Sequence, residues 1–208
     1  MNSKLELRLD FDGVFADSGA VKSLVARELF NIDVDPANFK KETVVGKIKK
    51  PSGNIFTLDN YRAVQHFVNY DVGYGMRITP IGTIEKHLPL ILNQGHKIRV
   101  VTSRDGLAAH IASLWTKEMG VDIPLDSVGY GNPKDKFCVE AHLYADDDHP
   151  KLESVDVGFK SKDLAVPKLV LVGHDYNQDV DSRIATRIEH SVFWEWLYDH
   201  VREVSRQL

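Results

Sequence analysis

The sequence predicts an α/β protein in which a three-layer core, built on a parallel sheet, is interrupted near its start by a small, mostly helical insert. Short strand patterns alternate with helical patterns along most of the chain. Such alternation is typical of a parallel sheet that is covered by helices on both faces. Residues 18–79 break the alternation and show mainly helical spacing, which predicts the insert.

The composition is that of an ordinary globular protein. The chain has 208 residues, of which 43% are hydrophobic and 27% are charged, and this length suits one domain with a smaller insert. No apolar run approaches the ~18 residues of a membrane span, and the single cysteine, Cys138, excludes an internal disulfide or a multi-cysteine zinc site. We therefore expect a cytoplasmic protein without a membrane partner. The net charge of -4 makes a stable nucleic-acid complex unexpected.

The core, residues 1–17 and 80–208, begins with a strand. Leucines alternate with polar residues over 4–11, the period of a half-buried strand. Apolar runs and helical stripes then follow one another at short intervals. The remaining predicted core elements are a helix over 82–93, a strand over 97–102, a helix over 107–119, a strand over 126–130, a helix over 134–141, strands over 143–145 and 169–172, and a helix over 191–204.

The insert, residues 18–79, carries helical patterns over 20–30 and 57–68, separated by an irregular lysine-rich stretch and followed by a linker over 71–80. It holds nine Lys and Arg against six Asp and Glu, a formal charge of +3, whereas the core has 17 against 24, a charge of -7. A basic lid above an acidic floor would favour an anionic substrate. The alternative is that the lysine run KKETVVGKIKK is only a solvated loop.

Polar side chains follow three of the predicted strands, at the ends where parallel sheets bind ligands. They are Asp10 and Asp12, then Thr102, Ser103 and Arg104, then Asp146, Asp147 and Asp148, with Lys134 and Lys136 in the helix before the third strand. Each group alone has an ordinary explanation as a turn, a helix cap or a solvated loop. Their occurrence in order at strand ends predicts that they converge on one crevice.

These residue types suit phosphoryl transfer. Clustered carboxylates repel one another unless a cation joins them, and oxygen ligands are those that Mg²⁺ prefers. Lys and Arg balance the charge of a phosphoryl group. One aspartate can attack phosphorus to form an aspartyl-phosphate, and a carboxyl two residues along can protonate the leaving oxygen and then activate water.

The segments LRLDFDGVFADS, VVTSR, Lys136 and YADDD resemble the four motifs of the haloacid dehalogenase (HAD) superfamily. The resemblance covers residues 4–18 and 78–150. It implies a Rossmann-like core, a Mg²⁺ cofactor, phosphoryl transfer through an aspartate, and a C1-type cap for the insert. The second aspartate, Asp12, suits the phosphatases of the superfamily, because its dehalogenases lack that residue and its transport ATPases carry a lysine there.

The resemblance in the first two motifs implies a role for each residue at a matching position. Asp10 would be the nucleophile and a Mg²⁺ ligand. Asp12 would be the general acid and base, and its backbone carbonyl would bind the metal. Thr102 would hydrogen-bond the phosphoryl oxygens, helped by Ser103 and Arg104.

The last two motifs leave alternatives open. Lys136 would neutralise the nucleophile and the phosphate, and Lys134 is the alternative. Asp146 and Asp147 would complete the metal site, and Asp147 with Asp148 is the alternative register.

A closer resemblance is to the 5'(3')-deoxyribonucleotidase branch of the superfamily, through DFDGVFAD, the pair Asp135-Lys136, the pair Asp146-Asp147 and LVLVGHDYN. Arg104 departs from it, since that branch has proline after Thr-Ser. The resemblance implies a small phosphorylated substrate such as a (deoxy)nucleoside monophosphate. The alternatives are a polynucleotide-end or protein phosphatase and a non-catalytic phospholigand-binding protein.

The insert also holds aromatic residues, among them Phe39, Phe56, Tyr61, Phe67, Tyr70 and Tyr74. One or two could stack on a nucleobase, and we expect most of them to form the insert's own small core.

Overall fold

The computed structural model describes residues 3–180 and 182–207. Within these ranges no helix is both long enough and apolar enough to cross a bilayer. In chain order the helices and strands are β1 (Glu6–Leu9), β2 (Ala16–Asp17), α1 (Gly19–Phe30), α2 (Lys41–Val44), α3 (Leu58–Tyr70), α4 (Val72–Gly75), β3 (Thr79–Pro80), α5 (Ile84–Asn93), β4 (Lys97–Thr102), α6 (Gly106–Glu118), β5 (Leu125–Ser127), β6 (Leu143–Asp146), α7 (His149–Lys160), β7 (Lys168–Gly173), β8 (Thr186–Glu189) and α8 (Phe193–Gln207).

Six strands form one parallel sheet in the order β5-β4-β1-β6-β7-β8, which confirms the predicted α/β class. The first strand lies near the centre, and Leu9 pairs with Val100 of β4 on one side and with Ala145 of β6 on the other. The strand order therefore reverses at β1. Ligands of open parallel sheets bind outside the carboxyl ends of the strands at such a reversal.

Side chains on the two faces of the sheet pack into two separate hydrophobic clusters. In β6, Leu143 belongs to the larger cluster and Tyr144 to the smaller one, and in β7 the same alternation separates Val170 from Leu171. Helices α5 and α8 contribute to the larger cluster, and α7 contributes to the smaller. Burial on both faces explains why these strands read as nearly continuous apolar runs.

The insert begins and ends at a short antiparallel ribbon, in which Asp17 of β2 pairs with Thr79 of β3. Helices α1 to α4 lie between these two strands, and α1 and α3 pack against each other. Trp115 of α6 donates a hydrogen bond of 2.8 Å to the carbonyl of Ile78, close to the end of the insert. The insert and the core share the larger hydrophobic cluster.

Three local predictions differ from the structure. The predicted helix over 134–141 is wrong, because only Asp135–Phe137 forms a 3₁₀ turn and Glu140 adopts the left-handed region with φ of 65°. The predicted linker over 71–80 contains α4 and β3. Helix α7 and strand β8 lie outside the predicted set, and β8 carries a weak apolar signal because it is an edge strand.

Candidate active site

Three strands deliver the predicted site residues to one crevice. Asp10 directly follows β1, and its backbone N–H donates a hydrogen bond of 2.9 Å to the carbonyl of Ala145 in β6. Thr102 is the last residue of β4, and Asp146 is the last residue of β6. Because β4 and β6 flank β1, their carboxyl ends place all three residues at the same edge of the sheet.

Three of the predicted acids form a buried cluster. One carboxylate oxygen from each of Asp10, Asp146 and Asp147 lies within 4.8 Å of the other two. Gly13 permits this approach, because it adopts φ of 78° and a Cβ on it would lie 2.3 Å from Cγ of Asp147. Carboxylate oxygens at this spacing are the donors that Mg²⁺ prefers, so the donor set fits a divalent cation.

Asp148, the acid of the alternative register, lies outside this cluster. Asp148 is exposed, and its backbone N–H donates a hydrogen bond of 2.9 Å to Oδ1 of Asp146. It serves as the residue that precedes α7. The structure thus brings Asp146 and Asp147 to the site, and leaves Asp148 at its rim.

The cation inside the acid cluster is Lys134. Its Nζ lies 2.7 Å from Oδ1 of Asp10 and 2.8 Å from Oδ2 of Asp146, and the residue is 1% exposed. Lys136, the residue assigned this position from the sequence, is exposed to solvent. The placement corrects that assignment in favour of Lys134, which precedes the 3₁₀ turn of Asp135–Phe137, whereas Lys136 lies within the turn and its side chain points in another direction.

Burial and charge set the protonation of the cluster. Burial raises the pKa of Asp10 well above its usual value, Lys134 opposes the shift, and Asp146 with Asp147 adds to it. Burial lowers the pKa of Lys134, but the two carboxylates that it contacts outweigh burial and raise it. The hydroxyl of Tyr144 also donates a hydrogen bond to Asp146. A divalent cation among these oxygens would favour their ionised forms.

Asp12 is held by Arg104 in a bidentate ion pair. Nε and Nη2 of Arg104 each donate a hydrogen bond of 2.8 Å to a carboxylate oxygen of Asp12. Burial raises the pKa of Asp12, but the charge and hydrogen bonds of Arg104 outweigh it and lower the pKa to about 2. The remaining nitrogen, Nη1, is buried and has no hydrogen-bond partner among the described residues. One donor of Arg104 is thus left unsatisfied inside the protein.

The other two predicted phosphate ligands lie beside Arg104. Thr102 is buried, and its Oγ1 accepts a hydrogen bond of 3.1 Å from the backbone N–H of Arg104. Ser103 is half-buried on the same turn. The structure therefore places Thr102, Ser103 and Arg104 together at the end of β4, next to the loop that carries Asp12.

Residues that the sequence prediction omits complete the cleft from the opposite side. Nζ of Lys40, in the insert, lies 3.0 Å from Oδ2 of Asp147 and 3.7 Å from the centre of the Tyr176 ring. The hydroxyl of Tyr176 also donates a hydrogen bond to Asp147. Two sequence patterns could have pointed to these residues. Lys40 is the first residue of the lysine-rich run KKETVVGKIKK, and Tyr176 belongs to the segment LVLVGHDYN.

Lys22 of α1 lines the same cleft. It is 8% exposed, and no hydrogen bond or ion pair joins its side chain to any residue within 3–180 or 182–207. Burial and the neighbouring charge of Lys40 lower its pKa to about 8, while Asp12 raises it. The apolar stripe of α1 hides this lysine in the sequence, because Val21 and Val25 flank it.

Comparisons with known proteins identify the fold through structure alone. No protein-family model and no curated protein matches the sequence. Among solved structures, a HAD family hydrolase from Deinococcus radiodurans with bound phosphate and sodium has a TM-score of 0.62 at 14% identity, over 98% of this chain and 97% of that one. A β-phosphoglucomutase from Clostridium difficile has a TM-score of 0.56 at 16% identity, over 99% and 98%.

A predicted phosphoglycolate phosphatase from Haemophilus somnus is similar to the same extent, with a TM-score of 0.57 at 13% identity over 95% of this chain and 99% of that one. Identities this low carry information about fold only. The chain has the Rossmann-like α/β fold of these HAD hydrolases, with a buried acidic cluster at the carboxyl ends of its central strands.

Proposed function

We propose that this protein is a Mg²⁺-dependent phosphomonoesterase that works through an aspartyl-phosphate on Asp10. The observation that carries the proposal is the buried cluster of Asp10, Asp146 and Asp147, in which the ammonium group of Lys134 joins the first two. Burying clustered carboxylates and a shared lysine lowers the stability of the fold. Binding of a divalent cation and a phosphoryl group would explain why the protein contains them.

In the first step, a carboxylate oxygen of Asp10 attacks phosphorus and the bond from phosphorus to the leaving oxygen breaks. Lys134 occupies Oδ1 of Asp10 with a hydrogen bond of 2.7 Å, which leaves Oδ2 for the attack. The leaving oxygen takes a proton from Asp12. In the second step, water attacks the phosphorus of the aspartyl-phosphate, Asp12 accepts the proton of that water, and phosphate leaves.

The acid role of Asp12 requires a change at Arg104. Asp12 is ionised in the described ion pair, so it must exchange Arg104 for a proton before it can protonate a leaving group. Once released, the guanidinium of Arg104 can donate to the phosphoryl oxygens beside Thr102 and Ser103. Substrate phosphate therefore competes with Asp12 for the same guanidinium.

Asp10, Asp146, Asp147 and the backbone carbonyl of Asp12 would hold the metal ion. When bound, Mg²⁺ supplies positive charge that balances the carboxylates and the phosphoryl oxygens. Lys134 meanwhile fixes the orientation of Asp10, because its second hydrogen bond to Asp146 ties the two carboxylates together.

The substrate in this proposal is a small phosphorylated metabolite, with a (deoxy)nucleoside monophosphate as the sequence-based expectation. Lys40 of the insert reaches across the cleft to Asp147, which supports a covered site that admits small molecules. A polynucleotide end or a phosphoprotein would require a more open approach.

The test is phosphate release from nucleoside monophosphates, sugar phosphates, phosphorylated carboxylic acids, a 5'-phosphorylated oligonucleotide and a phosphopeptide, each with Mg²⁺ or with chelator. We expect Mg²⁺-dependent release from at least one small compound and little from the polymers. Turnover confined to the oligonucleotide or the phosphopeptide would overturn the choice of substrate class. Binding of phosphorylated compounds without any metal-dependent turnover would overturn the enzymatic proposal and support a binding protein.

A further inference from the structure

Lys22 is a buried cation that the described part of the chain leaves without a hydrogen-bond or ion-pair partner. The residue is 8% exposed and lines the cleft between the insert and the sheet. An ammonium group with so little exposed surface gives up part of its hydration, and here it gains no hydrogen bond or ion pair in exchange. A lysine kept at such a position is suited to bind an anion that arrives from outside.

The other cations of the cleft differ from Lys22, because each has a carboxylate partner. Lys134 contacts two acids of the cluster, Arg104 forms the bidentate pair with Asp12, and Lys40 contacts Asp147. These three side chains serve the acids of the phosphoryl site. Lys22 makes no such direct contact, although Lys22 and Asp12 each favour the ionised form of the other through their charges.

The start of helix α1 adds donors beside Lys22. Ser18 is buried, lines the cleft, and makes no side-chain capping bond to the first turn of α1. The first turn contains no acidic residue, and α1 extends over 12 residues. The N-terminus of such a helix carries partial positive charge, which attracts anions. The backbone N–H of Gly19 already donates a hydrogen bond of 2.8 Å to Oδ1 of Asp17, so the donors left for a ligand are those that follow Gly19. Lys22 lies in this same first turn.

The aromatic residues near the cleft do not offer a matching surface for a nucleobase. One face of the Tyr176 ring stacks on His174, with the ring centres 4.9 Å apart, and Nζ of Lys40 lies over the ring 3.7 Å from its centre. Phe39 is 2% exposed and packs against Phe56 in the insert. The lining that remains available to a ligand is thus polar and charged. It includes the acids Asp12, Asp17 and Asp175, and Lys22 is a cation there without a direct partner among the described residues.

We propose that Lys22, with Ser18 and the N-terminus of α1, binds a second anionic group of the substrate, a carboxylate or a second phosphate. The inference rests on the proposed phosphomonoesterase function and narrows its substrate class to small phosphomonoesters that carry another anion. Phosphorylated carboxylic acids and bisphosphates belong to this class. A nucleoside monophosphate has no second anionic group and falls outside it.

The experiment compares kcat/KM for matched substrate pairs. In the carboxylate arm, phosphoglycolate is compared with 2-hydroxyethyl phosphate; in the phosphate arm, fructose 1,6-bisphosphate is compared with fructose 1-phosphate. We expect the protein to prefer the compound with the second anion by tenfold or more in at least one arm, and the arm identifies the anion. We expect Lys22→Met to lower that ratio at least tenfold and Lys22→Arg to retain most of it.

The matched control is Lys47→Met, which removes one positive charge from an exposed position of the insert. It should leave the ratio unchanged, and an equal fall in this variant would mean that only the overall charge matters. Equal losses for both members of a pair in Lys22→Met would show that Lys22 serves the transferred phosphoryl group. A ratio near one for the unmodified protein in both arms, or an unchanged ratio in Lys22→Met, would also overturn the proposal.

Calorimetry separates this inference from the proposed function. The same compounds are titrated into Asp10→Asn protein, alone and combined with Lys22→Met, in the presence of Mg²⁺. We expect the compound with the second anion to bind at least tenfold more tightly, and the added Lys22→Met change to remove the difference. Selective binding without turnover in the unmodified protein would refute the phosphatase and retain the anion site, whereas equal binding would refute the anion site alone.

Discussion

The cleft has a sheet side and an insert side, and the two sides use their positive charges differently. On the sheet side, Lys134 and Arg104 each form two hydrogen bonds with carboxylates of the core. On the insert side, Lys40 reaches one carboxylate and Lys22 reaches none within the described residues. The cations of the sheet side are therefore fixed by carboxylates of the protein before any ligand binds. On the insert side, the ammonium group of Lys22 can still form an ion pair with a ligand.

This difference separates two tasks. A rigid network of buried ion pairs keeps the reacting groups in one geometry, which suits the chemical step. A lysine that has no hydrogen-bond or ion-pair partner among the described residues gains a direct partner only when an anion binds, which suits selection among substrates. Variants of the sheet side should consequently affect all substrates, and variants of Lys22 should affect some of them.

The largest effect is expected from Asp10→Asn. The amide cannot serve as the nucleophile, so kcat should fall by about 10³-fold or more for every substrate. The thermal midpoint should stay close to that of the unmodified protein, because Asn has the shape of Asp and its Oδ1 can still accept the hydrogen bond from Lys134. Steady-state kinetics and a melting curve check both statements. Retained turnover would contradict the assignment of Asp10 as the nucleophile.

The next effect is on folding, and it compares two neighbouring lysines. Lys134→Met leaves Asp10 and Asp146 buried without their shared cation and should lower the free energy of unfolding by about 3–5 kcal/mol. Lys136→Met is the control at an exposed position and should change it by less than about 0.5 kcal/mol. Urea denaturation measures both. Equal values would contradict the placement of Lys134 in the acid cluster.

Arg104→Met should act on catalysis more than on stability. Loss of the guanidinium removes a phosphoryl donor and the ion pair of Asp12, so kcat/KM should fall by about 10²-fold for all substrates alike. A fall limited to substrates with a second anion would mean that Arg104 selects among substrates, as proposed for Lys22, and does not serve the chemical step. Steady-state kinetics on both members of each substrate pair provides the measurement.

The stability effect of Arg104→Met should depend on pH. Arg104 lowers the pKa of Asp12 to about 2, below the ~3.9 of an unfolded chain, so the ion pair stabilises the fold above pH ~4 and is lost as pH falls towards 2. The side chain of Asp12 is 39% exposed, so we expect a difference of only about 1 kcal/mol at pH 7. Arg99→Met, which removes a surface pair with Asp126, is the control. Denaturation at pH 7 and pH 2.5 checks the sign, and a difference that grows at the lower pH would contradict it.

The smallest effect is expected at an exposed contact between the two sides. The hydroxyl of Tyr70 in the insert donates a hydrogen bond of 2.7 Å to Asp105, next to α6. Tyr70→Phe should lower the free energy of unfolding by about 0.5 kcal/mol or less, because water replaces an exposed hydrogen bond. Tyr130→Phe, at a position 93% exposed, is the control. A large loss of activity in Tyr70→Phe alone would show that this contact positions the insert.

Much of the fold was predictable because its signals are local. Leu143 and Tyr144 are apolar and buried on opposite faces of one strand, so a short apolar run marks a central strand wherever it occurs. Polar residues at the ends of such runs predicted where Thr102 and Asp146 lie. Sequence order and strand period together were sufficient to place the acids of the site at one edge of the sheet.

Other features required the tertiary structure. The choice of Lys134 over Lys136 depends on the direction of one 3₁₀ turn, and the two residues have the same side chain and almost the same neighbours in the sequence. The contact of Lys40 with Asp147 joins residues 107 positions apart. Such contacts depend on how the insert packs on the core, which no local pattern encodes.

The sequence by itself thus determined the class of fold, the acids and their order along the chain, because strand periodicity and residue chemistry are properties of short segments. Only the tertiary structure decided which cations meet those acids and which one has no direct partner in the described part of the chain. The physical reason is that an ion pair depends on distance and burial, and both arise when separate segments pack together. Lys22 is the clearest example. In the sequence it is one lysine within an apolar stripe, and only the structure shows that it lines the cleft.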